Sequence, residues 1–201
     1  MGKKKQYHHG NLKQALLTAS EQLIAEMGVD ALSMRRVTSH VGVSHAAVYR
    51  HFANKEELLA AVAEEGFQQL REMMQAAMGS TDPLERFMAC GRAYVDFAVA
   101  HPALFRVMFG PYIPQVNDHP ELTRENACTY DLLQQSIIAC QEAGVVCDRP
   151  LAELSLVAWT TVHGLASLLV DGQVGANTTL SAEALAEQVT RSLYLGMMPA
   201  S

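Results

Sequence analysis

The chain has 201 residues, 49% of them hydrophobic and 18% charged, with a formal net charge of −6. That length and apolar share exclude a disordered tail and leave room for one or two packed domains. Its four cysteines show no CxxC spacing and read as free buried thiols of a reducing compartment, and the net charge taken alone argues against a nucleic-acid partner.

The distribution of charge reverses that argument. Residues 1–60 hold eight Lys/Arg against five Asp/Glu, a balance of +3, so the remaining 141 residues carry −9. A basic head on an acidic body confines attraction for phosphates to one end. The N-terminus, MGKKKQYHHGN, lacks the apolar run of a signal peptide. No stretch approaches the roughly 20 uninterrupted apolar residues of a membrane span. Both point to a cytoplasmic protein.

Helical periodicity runs through the chain, with no sustained period-two alternation. Leu12, Leu16, Ala19 and Leu23 form the stripe of a first helix ending at Gly28. Val37 and Val41 mark a second, from about Ser33 to the breaker Gly42. Ser44 caps a third, carrying His45, Ala46, Ala47, Val48, Tyr49 and His51. Two short helices about a glycine turn are a helix-turn-helix, whose second helix enters the DNA major groove. Asn54 with Glu57 opens a fourth helix reaching about Met78.

Beyond Gly79, Asp82-Pro83-Leu84-Glu85 combines an N-cap, a proline at the first position and an early acid, and so starts a fifth helix running to His101. Pro102 restarts a short sixth to Gly110, and a loop follows to Asn117. Pro120 opens a seventh helix ending at Gly144, Pro150 an eighth ending near Asp171-Gly172, and Ser181 a ninth to about Met197. The expected fold is all-α, about nine helices. Residues 1–55 form an N-terminal arm and three-helix DNA-binding head. Residues 56–201 form a larger helical body for ligand binding and dimerisation, with helix four connecting the two.

Within the head, Ser33, Met34 and Arg35 stand at the start of helix two, where backbone N–H groups and the dipole favour a phosphate. His45 and Ala46, behind the Ser44 cap, occupy the end of helix three that reads base edges. The Lys3-Lys4-Lys5 arm offers a further salt-sensitive contact. Tyr49 reads equally as a core aromatic, and Val48 and Phe52 read as core. His8 and His9 are adjacent, a poor geometry for a metal, and neither metal nor cofactor is expected.

Residues 11–66 resemble the DNA-binding domain of the TetR family of bacterial transcriptional regulators. The resemblance is carried by Gly28, Ser33-Met34-Arg35, Gly42-Val43-Ser44, Val48-Tyr49-Arg50-His51-Phe52 and Asn54-Lys55-Glu56-Glu57-Leu58. Thr38, where the family has alanine, and Val41 depart from it. The match implies that Tyr49, His51 and Lys55 clamp backbone phosphates. In the body, Trp159-Thr160-Thr161-Val162-His163-Gly164 is similar to the Trp-x-x-x-His-Gly segment of one subgroup's ligand-binding domain, as is HPALFRVMFG at 101–110.

Trp159 and His163 are four residues apart and share a helix face, flat apolar area beside one polar handle. Tyr94, Met108, Phe109 and Tyr130 join them as candidate pocket lining. All six read also as plain core. The family pairs helices eight and nine with their copies, which marks Ala158, Leu165, Ala186, Val189 and Leu193 as dimer-interface candidates. The implied function is a homodimeric repressor, nucleoid-associated when bound to a palindromic double-stranded operator and released by a small-molecule effector. One alternative keeps the fold and makes cysteine oxidation or metal loading the signal, with Arg86 and Arg124 one turn before Cys90 and Cys128. The other, a thiol enzyme, lacks any nucleophile-elbow, HExxH or phosphate-loop motif. The chain reads as a regulator and not an enzyme.

Overall fold

A computed structural model describes residues 12–174 and 178–199. Among them are nine α-helices and no strand: α1 (Leu12–Met27), α2 (Met34–Val41), α3 (His45–Tyr49), α4 (Lys55–Ala77), α5 (Pro83–Ala100), α6 (Pro102–Phe109), α7 (Pro120–Glu142), α8 (Leu151–Val170) and α9 (Ala182–Met197). One 3₁₀ turn, Val116–Asp118, interrupts the stretch expected as loop. Lys3, Lys4, Lys5, His8 and His9 lie outside the described residues.

The helices distribute between two compact units. The first runs to Glu65 and takes in Ala103–Leu122; the second comprises Gly66–Pro102 and the residues from Thr123 onward. The first unit thus extends into α4, whose first turns bury Leu58, Leu59 and Val62. It also takes in α6 from Ala103 onward and the 3₁₀ turn.

In the first unit Leu16, Val37, Val48, Leu58 and Val62 are fully buried. Thr38, the departure from the family pattern, is 3% exposed. Its hydroxyl donates to the carbonyls of Met34 and Arg35 at 3.0 and 2.7 Å, which removes the cost of burying it.

In the second unit α5 packs against α8 and α9. A Cβ added to Gly91 would stand 2.6 Å from Cγ2 of Thr190. Arg92 pairs with Glu187 at 2.8 Å along the same seam. Glu125 of α7, 2% exposed, accepts from Arg71 at 3.3 Å and Arg124 at 2.8 Å, so its buried charge is matched.

Helix α8 corrects one expectation. At 20 residues it is long and apolar enough to cross a bilayer by length and composition. Burial gives that apolarity another use, because Leu154, Ser155, Ala158, Val162, Leu165 and Ala166 face the interior of the unit.

Candidate DNA-binding surface and effector site

The helix-turn-helix is built by three local devices. Ser33, extended at φ −144° and ψ 152°, accepts the Arg36 N–H on Oγ at 3.3 Å and starts α2. Gly42 ends it in the left-handed region at φ 76°, and the N–H groups of Gly42 and Val43 both reach the Thr38 carbonyl. Ser44 then accepts the Ala47 N–H on Oγ at 3.3 Å and starts α3. Three residues, 42–44, turn the chain from one helix into the next.

The result sorts the candidate DNA-binding residues by side. Arg35, Ser44, His45, Ala46 and His51 are exposed, and Tyr49 is 52% exposed, so it is not a core aromatic. Val48 and Phe52, at 0% and 3%, hold α3 from behind. Met34 is buried, at 8% exposure, and the contact expected of it runs through backbone N–H groups at the start of α2. Lys55 has a second task, since Nζ donates to the carbonyls of Val29 at 2.8 Å and Asp30 at 3.4 Å. It thereby ties the α1–α2 connection to the start of α4. There Asn54 accepts from the Glu57 N–H at 2.9 Å while Glu57 accepts from the Ala53 N–H at 2.7 Å. Arg50 at the end of α3 is an exposed cation that the sequence reasoning left out; its place beside the recognition residues was the available signal.

A cleft of about 220 Å³ also opens in the first unit, lined by His51, Phe52, Glu64, Asp118, His119 and Leu122 among others. No group of three metal-ligating side chains forms there or elsewhere among the described residues.

In the second unit the structure brings together Tyr94 of α5, Tyr130 of α7, and Trp159 and His163 of α8. Tyr94 Oη and His163 Nδ1 are 2.7 Å apart. The Trp159 and His163 rings are tilted at 5.3 Å, and Tyr130 meets Trp159 edge-on at 6.4 Å. Burial lowers the His163 pKa below its usual value. Burial raises that of Tyr94, against a weaker opposing hydrogen bond from Trp159. Both are neutral near pH 7, so the Tyr94 hydroxyl can donate to Nδ1 while the indole donates to the Tyr94 oxygen. The arrangement is an aromatic cluster crossed by one oriented polar line, Trp159–Tyr94–His163. Met108 and Phe109 belong to the first unit, where Phe109 packs on Phe105 at 4.9 Å.

The dimer candidates separate by exposure. Ala158, Leu165 and Ala186 are buried within the unit, at 1%, 9% and 1% exposure. Val189 and Leu193 are half-buried. The apolar surface of these helices is instead Leu156, Val157 and Leu168 on α8 and Leu195 on α9, each more than two-fifths exposed.

Two of the four thiols are held protonated by burial. Cys90 is buried and pushed up to about 12, and Cys140 to about 11, in both cases chiefly by burial. Arg86 lowers Cys140 only as the smallest contribution, behind burial and Asp82.

A family model described as bacterial regulatory proteins of the tetR family matches residues 16–62, and one described as a tetracyclin repressor-like C-terminal domain matches residues 87–193. The chain is 31% identical over 99 residues to the nucleoid occlusion factor SlmA of Haemophilus influenzae, covering 49% of this chain and 45% of that protein. It spans about half the length of the first curated relatives it matches. An HTH-type transcriptional regulator of Mycobacterium bovis is 22% identical over 211 residues, covering 90% of each protein. A solved structure of a protein with unknown function from Rhodococcus sp. RHA1 is 30% identical at a TM-score of 0.82, covering 97% of this chain and 100% of that one.

Proposed function

We propose that this chain, which belongs to the TetR family of bacterial regulatory proteins, is a DNA-binding transcriptional regulator acting as a homodimeric repressor in the bacterial cytoplasm. It reads a palindromic operator with α3 and is released by a small molecule held in the second unit. The observation that carries this reading is the capped α2–α3 pair with Arg35, His45, Ala46, Tyr49 and His51 on its open side.

One α3 spans only a few base pairs, so two-fold symmetry is needed to reach a selective site. The exposed row of Leu156, Val157, Leu168 and Leu195 supplies the self-complementary apolar surface for it. The Tyr94–Trp159–His163 line supplies the effector's polar contact. Release requires only a few kcal/mol of differential affinity, since about 1.4 kcal/mol is tenfold.

The test is recovery of genomic DNA fragments on the purified protein, followed by gel-shift titration of the enriched sequence. One shared palindrome beside few promoters is expected. Many weak sites without a common sequence would replace the reading with an architectural DNA-binding role.

A further inference from the structure

Two polar atoms buried in the second unit lack a hydrogen-bond partner: Nε of Arg86 on α5 and Oγ of Ser155 on α8. Each departs from what surrounds it. The hydroxyls of Thr160 and Thr161 on α8, and of Thr190 on α9, donate back to carbonyls of their own helices. Ser155, 0% exposed, does not. Arg86 stands four residues after Asp82, the spacing at which an acid and a base pair along a helix. Asp82 instead accepts the Leu84 N–H, and Arg86 forms no ion pair with any described carboxylate. A buried donor on a cation is costly unless something accepts from it.

Helix register places Arg86 and Ser155 at one level along α5 and α8. Thr190 meets Gly91, Glu187 meets Arg92 and Glu183 acts on Asp96, so α9 runs antiparallel to α5. The Met197 carbonyl at the end of α9 accepts the Cys147 N–H just ahead of α8, so α8 is antiparallel to α9 and parallel to α5. His163 joins Tyr94. Two turns back from that pair stand Ser155 on α8 and Arg86 on α5. Eight residues separate the two levels on both helices, about 12 Å of rise. Cys90 and Trp159 occupy the turn between.

We propose that Arg86 and Ser155 form the anion-holding end of the interior effector site and take a carboxylate. Its apolar body runs past Cys90 and Trp159 to the Tyr94–His163 pair. The Arg86 Nε–H and the Ser155 hydroxyl donate to the carboxylate oxygens, and the neutral far end offers nothing to a second charge. The effector is thus an amphipathic monoanion. This rests on the reading of the second unit as the effector-binding part.

Trp159 is the only tryptophan of the chain and lies one turn from Ser155, so its emission reports occupancy. The full chain is titrated with sodium decanoate below its micelle concentration and, separately, with decan-1-ol. About ten bonds of extended chain cover the roughly 12 Å between the levels. Decanoate is expected to bind at least tenfold more tightly than the alcohol. Arg86→Met should abolish that preference while keeping affinity for the alcohol, and Ser155→Ala should weaken decanoate about fivefold.

Equal affinities in the unsubstituted protein, or a preference that survives Arg86→Met, overturn the proposal. Should Arg86→Met fail to fold, the comparison in the unsubstituted protein decides alone. Gel shifts run beside the titration separate the two readings. Arg86-dependent decanoate binding without loss of DNA keeps the anion end and overturns effector release. Release by other molecules with no decanoate binding does the reverse.

Discussion

Tyr94 and His163 share a 2.7 Å hydrogen bond between α5 and α8, and both are held neutral by burial. Removing the hydroxyl with Tyr94→Phe is expected to cost about 1 kcal/mol, because Nδ1 then loses its partner in a site largely closed to water. Urea denaturation at pH 7.5 measures it.

His163 also sets an acid limit. Its folded pKa lies below the unfolded value of about 6.5. Below that pH the unfolded chain takes up a proton more readily, so stability present above about pH 6.5 is lost as the pH falls through the folded value. A His163→Gln variant should lose less stability between pH 7 and pH 5 than the unsubstituted protein, read as the difference in thermal midpoint. A parallel loss in both proteins would assign the acid sensitivity to other groups.

The turn between α2 and α3 depends on backbone conformation more than on contacts. At Gly42 φ is 76° and an added Cβ meets nothing within 4 Å. Gly42→Ala therefore carries only the left-handed penalty of about 1 kcal/mol. Ser44→Ala removes a cap, also worth about 1 kcal/mol. Both variants should weaken operator binding by loosening α3, with head stability followed by hydrogen exchange.

Lys55 and Arg35 are expected to separate by salt. Arg35 is exposed, so Arg35→Ala should lower the slope of log affinity against log salt by about 0.9 if it neutralises one phosphate. Lys55→Met removes the bonds to Val29 and Asp30 as well, and should lower the thermal midpoint even without DNA.

Leu156 and Leu195 are 54% and 59% exposed. Replacing either with glutamate should shift sedimentation toward a monomer with little change in helicity, since surface substitutions move stability by about 0.5 kcal/mol or less. A dimer that persists in the double variant would place the interface elsewhere.

Much of this architecture was legible in the residues themselves. Gly28, Ser33, Gly42, Ser44, Asn54, Asp82 and Ser181 are local signals, and each marks a helix end within a residue or two of where it falls. Side was harder to read than position. Ala158 and Ala186 are small residues on apolar helices, and periodicity cannot tell a face turned to α5 from one turned to a second chain. The burial of Met34 and the bonds of Lys55 to Val29 and Asp30 were hidden for a related reason, because where a long side chain lands depends on elements distant in sequence. The orphaned Arg86 Nε and Ser155 Oγ have no sequence signature at all, since an unmet hydrogen bond exists only once the neighbours are in place.

The near-contact of Gly91 with Thr190 makes the α5–α9 seam a keyed joint. Sliding α9 by one residue, or turning α5 by a fraction of a turn, would drive a side chain into the space that only a missing Cβ keeps open. The two helices therefore travel as one piece. Any rearrangement that a bound molecule causes in this unit must carry both or leave both still, which gives α5 and α9 a single motion to detect. A distance measured between spin labels on their exposed faces should stay constant while others in the unit change.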